Sequence, residues 1–135
     1  MQLNFNPVGR EEIHKLETAL LVGTLFRPKV IEEIRNSSER LTWVDSLAVS
    51  AGALARNKAG MTVSEIAEEL GRTETTIREH LKGESKAGKL VIETYELLKE
   101  GKLRIDELFL ESEREKLRER LIKLKEEIED ILKSL

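Results

Sequence analysis

The chain has 135 residues, 39% of them apolar and 36% charged, with 23 Lys and Arg set against 26 Asp and Glu for a net charge of -3. That length gives one compact domain plus an appendage, and the dense mixture of both signs predicts an ion-paired surface of the kind thermophile proteins carry. The absence of cysteine excludes disulfides, thiolate catalysis and Cys-ligated zinc. No apolar run approaches the roughly 18 residues that span a bilayer, and the start of the chain lacks a signal-peptide pattern, so a cytoplasmic protein with no membrane partner is expected.

In chain order, residues 1–9 read as an extended lead ended by Pro7 and Gly9. A first helix is predicted over 10–22, where Ile13, Leu16, Leu20 and Leu21 recur at helical spacing, with Gly23 as its stop. Pro28 opens a second helix that ends in Asn36-Ser37-Ser38, since proline suits a first helical turn. The third helix is the most apolar. Thr42 is its predicted N-cap with Asp45 as capping-box partner, Trp43 is read as core rather than as a stacking platform, and Gly60 ends it. Small residues from Ala48 to Ala53 allow close helix approach. After two short helices in 62–83 comes another over 88–100, then a strand or plain connector over 102–105, then a long helix from 106 onward.

The segment 62–83 carries the strongest motif. Ile66 and Leu70 form the inner stripe of one helix, and Ala67 is small where a second helix crosses. Gly71 supplies a tight turn in which positive φ is cheap only without a Cβ. Thr73 caps the second helix, and Ile77 and Leu81 lock it onto the first. Such a crossed pair can place its second member in the DNA major groove. Thr75, Thr76 and Arg78 are the candidate base readers, Lys82, Lys86 and Lys89 the candidate phosphate contacts, and Arg72 with the Thr73 amide region a further phosphate anchor. Against this, residues 61–90 hold five basic residues and six glutamates, a poor balance for neutralising phosphate.

The string Ile66-Ala67, Leu70-Gly71, Thr73-Glu74, Thr76-Ile77 and His80-Leu81 resembles helix-turn-helix segments of sigma factors and response regulators, with Arg72 standing where those families often place an apolar residue. The run from His80 to Leu90, with Glu93-Thr94-Tyr95-Glu96-Leu97-Leu98 after it, resembles an archaeal family of regulatory domains encoded beside KaiC-like ATPases. That resemblance spans about residues 45–100 and implies regulatory work with an ATPase as partner; it implies no catalytic residue.

In the C-terminal helix, Leu117, Leu121, Leu124, Ile128, Ile131 and Leu135 are spaced by alternating steps of four and three. That is a heptad seam, and it predicts oligomerisation, a dimer first, which would present two recognition helices to one duplex. Ile122 and Leu132 widen the stripe, and packing back onto the chain's own first helix is the alternative.

The expectation is therefore an all-α protein. Residues 1–105 form a helical domain containing the helix-turn-helix, and 106–135 form an oligomerisation helix. The expected function is DNA-binding transcriptional regulation; the rival is a non-enzymatic adaptor that docks on a regulatory ATPase or another protein. His14 and His80 lie far apart with no cysteine to join them, and the three aspartates are scattered, so neither a metal, a cofactor nor an enzymatic activity is expected.

Overall fold

The computed structural model describes the backbone of residues 3–135 and the side chains of 3–105 and 114–135. Among the described residues the chain is all helical, with no strand. The helices are α1 (Gly9–Leu25), α2 (Pro28–Asn36), α3 (Arg40–Lys58), α4 (Val63–Leu70), α5 (Glu74–Leu81), α6 (Lys86–Lys99) and α7 (Ile105–Ser134). They fall into two units, Met1–Arg104 and Ile105–Leu135.

In the first unit α3 is the axis: it packs on each of α1, α2, α4, α5 and α6. A helix so enclosed must be apolar nearly all round, and the run from Ser50 to Arg56 is buried without a break. Its small residues let neighbours approach. A Cβ on Gly52 would press into Glu17 of α1, into Arg56 and into Leu70 of α4. On the far side Leu16, Ala19 and Leu20 of α1 and Leu90, Val91 and Tyr95 of α6 complete the core.

Several boundaries differ from the sequence expectation for physical reasons. Gly23 does not end α1. The helix continues to Leu25, and Gly23 is buried where α6 crosses, a Cβ there falling 3.0 Å from the Thr94 methyl. Thr42 does not cap α3, because the chain turns earlier: Glu39 is the N-cap, its amide bonded to Ser37 Oγ at 3.1 Å, and Asp45 serves Arg72 instead. Ser85 caps α6 by accepting from the Gly88 amide, so that helix begins at Lys86 and Gly88 lies inside it. Of the two alternatives for 102–105, residues 102–104 form the connector, and Ile105 already belongs to α7. Trp43 is half-buried, not core; it lies at the rim of a 460 Å³ groove between α2 and α6, with the Lys86 ammonium 5.6 Å from its ring centre.

The second unit is one helix. Its seam residues stand exposed, Leu117 and Leu121 at 58%, Leu124 at 52% and Ile128 at 51%.

Candidate nucleic-acid interface

The site is assembled from local rules first. Thr62 begins α4 with a reciprocal capping box. Its hydroxyl accepts from the Glu65 amide, and the Glu65 carboxylate accepts from the Thr62 amide at 3.1 Å. The Thr62 amide, together with the Thr62 hydroxyl donating to the same carboxylate oxygen at 2.9 Å, holds the Glu65 carboxyl below its ordinary range. Gly71 then ends the helix in the left-handed region, φ 65 and ψ 38, which a Cβ would make costly. Two residues later the Thr73 hydroxyl accepts from the Thr76 amide at 3.2 Å and starts α5.

Packing then decides which face of α5 points inward. Ile77 is fully buried against Ala53, Ile66 and Ala67. His80 is 8% exposed, with Nδ1 2.6 Å from Ser85 Oγ. Burial pushes its imidazole below the ordinary value, outweighing the opposite pull of Glu79. A neutral ring of this kind can accept the Ser85 hydroxyl proton at Nδ1. The inward side of α5 is thus fixed at its middle and near its end, by Ile77 to α3 and α4 and by His80 to Ser85, the N-cap of α6.

The outward side follows from the helical period. Thr75, Arg78, Glu79 and Lys82 are spaced three, four and seven residues from the first, share one stripe and are all exposed. Thr76 is half-buried, its hydroxyl 2.9 Å from that of Thr73. Lys89, on α6, is exposed as well. The other candidates are engaged within the chain. Arg72 Nη2 donates to both carboxylate oxygens of Asp45 of α3, at 3.1 and 3.2 Å. Thr73 spends its hydroxyl on the cap. Lys86 sits 3.2 Å from Glu33 of α2. The stripe itself is mixed in sign: Arg78 lies 3.9 Å from Glu74, one turn back, and Glu79 stands beside it.

One polar centre escaped the sequence reading. Arg56, 5% exposed, reaches Glu17 of α1 at 2.7 Å and lies 3.4 Å from Glu69 of α4, which also meets Arg10 at 3.3 Å. The network ties the first helix of the motif to the N-terminal helices. Its only sequence signal is an arginine closing the alanine-rich part of α3. Among the described residues no group of His, Asp or Glu could hold a metal ion, and no helix is long and apolar enough to cross a membrane.

The chain is 58% identical over 125 residues to the uncharacterized protein MJ1053 of Methanocaldococcus jannaschii, a match covering 93% of this chain and 72% of that one. The two belong to one family. No family model and no solved structure matches the chain.

Proposed function

We propose that this member of the family is a DNA-binding regulator that inserts α5 into the major groove and acts as a dimer through α7. One observation carries the reading. Ile77 and His80 anchor α5 from behind, while Thr75, Arg78, Glu79 and Lys82 form an open polar stripe one helix wide. That is the requirement for a recognition helix: rigid support on one side and hydrogen-bonding side chains on the other. In this reading Thr75 and Arg78 meet base edges, while Lys82 and Lys89 meet phosphate. Arg72, Thr73 and Lys86 position the motif and take a smaller part in contact.

The test is fluorescence polarisation of labelled random duplex DNA against the full chain at low salt. Binding should weaken steeply as salt rises, and Lys82→Ala should lower the log–log salt slope by about one. An unchanged polarisation at the lowest salt defeats the reading.

A second reading rests on the charge balance of the same stripe. Arg78 faces Glu74, and Arg72 is neutralised by Asp45, which favours a protein partner over a polyanion. In that reading α4 and α5 form a docking platform for a regulatory ATPase of the KaiC-like kind, and the protein is a non-enzymatic adaptor. Co-sedimentation with such an ATPase, lost on Arg78→Ala, would separate it from the first.

A further inference from the structure

Resting on the dimer reading above, we propose that α7 pairs with the α7 of a second copy in an antiparallel coiled coil, with residue 121 at the level of the partner's residue 124. The exposed seam of α7 calls for an occupant. From Leu117 to Ile131 each heptad residue is more than half exposed. Its regular a and d spacing fits another helix of the same period better than an irregular surface.

The one polar seam position, Arg114, and the apolar flank residue Ile122 decide the direction. On the g side stand Arg120, Glu127 and Ser134. On the e and b side stand Arg118, Ile122, Lys125, Glu129 and Leu132, with Ile122 and Leu132 51% and 63% exposed. A parallel pair sets the e side of one helix against the g side of the other. Leu132 would then face the partner's Glu127, and Arg120 would face the partner's Lys125, twice by symmetry. Arg114, at an a position, would also meet its own copy inside the seam. An antiparallel pair sets like flanks together. Arg120 then meets the partner's Glu127 on the g side, twice. Ile122 comes level with the partner's Ile122 on the e and b side, an apolar contact that the parallel pair does not make. Arg114 lies against the partner's Ile131 near the end of the overlap, where its long stem covers the seam and its head reaches water. The like-charged contact of Arg118 with the partner's Lys125, also made twice, matches the Arg120–Lys125 contact of the parallel pair and favours neither direction.

The arrangement has a consequence for the molecule. At about 1.5 Å of rise per residue, the two copies of Ile105 lie about 50 Å apart along the pair. The two 1–104 units are therefore joined to opposite ends of the helical pair.

The absence of native cysteine makes the test clean. Full-length Leu117→Cys and Ile128→Cys chains are oxidised separately and as a refolded mixture, then run on a non-reducing gel. The antiparallel register puts 117 opposite the partner's 128, so the mixture should give a doubled mass and neither variant alone should. Self-crosslinking of Leu117→Cys would mean parallel helices; it overturns the proposal but leaves the dimer standing. A monomer by sedimentation of the unmodified chain at tens of micromolar overturns both. Charge reversal gives an independent reading without cysteine. Arg120→Glu should weaken association at least tenfold, and adding Glu127→Arg should restore it. Tighter association of Arg120→Glu alone, by relief of a clash with Lys125, would also overturn the proposal.

Discussion

Gly88 lies directly against the backbone of His80: a Cβ at residue 88 would overlap the His80 carbonyl oxygen and crowd its Cα. The contact joins the end of α5 to the first turn of α6 and leaves no side-chain layer between them. Gly88→Ala should therefore destabilise the fold by about 1–3 kcal/mol through overpacking, even though alanine is the better helix former by nearly 1 kcal/mol. The obstacle is backbone, which cannot rotate away as a side chain would. Urea unfolding of the two chains measures the difference. Equal midpoints would mean that α5 and α6 can separate at no cost, and that α5 is less firmly held than the geometry requires.

The His80 imidazole predicts a pH dependence with a definite sign. Burial lowers its pKa below 6.5, so between that lower value and 6.5 the unfolded chain binds more proton than the folded one. Stability should fall as pH drops through this window and level off below it. His80→Asn keeps a polar partner for Ser85 and should flatten the curve. Thermal melts between about pH 5 and 7.5 cover the range in which an ordinary histidine titrates. A wild-type curve that rises toward acid would reverse the sign and refute the argument.

Arg56 makes a case for stability rather than recognition. Its side chain is 6% exposed, and two carboxylates depend on it. Removing one member of such a buried group leaves charge uncompensated and typically costs about 3–5 kcal/mol. Arg56→Ala should fall near the lower end, about 3 kcal/mol, because Glu17 and Glu69 retain some contact with water. Arg56→Lys should recover little, since a single ammonium cannot reproduce the guanidinium's reach to both acids and to the Gly52 carbonyl. Guanidinium unfolding checks both.

What could be read from the sequence divides along the range of the forces involved. Gly71, Thr73 and the inward Ile77 were legible because turn, cap and helical stripe are each decided within a few residues. Pro28 marked the start of α2 for the same reason. Gly23 was misleading: a glycine near the end of an apolar run signals a stop, yet here it marks the crossing of α6, seventy residues later in the chain. Trp43 failed similarly. Its size predicts burial, but it lines a groove with α2 and the start of α6, whose polar side chains leave the ring at a rim. The Arg56 network joins residues 10, 17, 56 and 69, and no periodicity relates them. For the stripe of Thr75, Arg78, Glu79 and Lys82, sequence gave the residues, while their exposure depended on His80 turning inward to Ser85.

The dimer reading makes a prediction that needs no change to the first unit. A chain truncated after Leu110 removes every exposed seam residue from Leu117 to Leu135. It should sediment as a monomer and keep the unfolding midpoint of the first unit. If the truncated chain retained the parent's mass, assembly would lie in residues 1–110 and α7 would need another role.

The glutamates on the outward stripe separate DNA contact from protein docking most sharply. Glu79 is exposed beside Arg78, and Glu74 sits 3.9 Å from the same guanidinium. Near a phosphate backbone each carboxylate repels, and Glu74 also diverts Arg78. Glu74→Gln and Glu79→Gln keep size and helix propensity but remove that charge. If α5 enters the groove, each should tighten binding to duplex DNA, roughly threefold at low salt, or less than 1 kcal/mol. The gain should shrink as salt rises, because screening weakens repulsion as well as attraction. Combined with Arg78→Ala, the Glu74→Gln gain should shrink too, since freeing Arg78 contributes part of it. A protein-docking surface predicts a different pattern: no gain toward DNA from either substitution, and a loss toward any partner that uses those acids. Polarisation titrations of the parent, the two glutamine variants, Arg78→Ala and the Glu74→Gln, Arg78→Ala chain at two salt concentrations distinguish the outcomes, and DNA affinity unaffected by either glutamine would place α5 outside the groove.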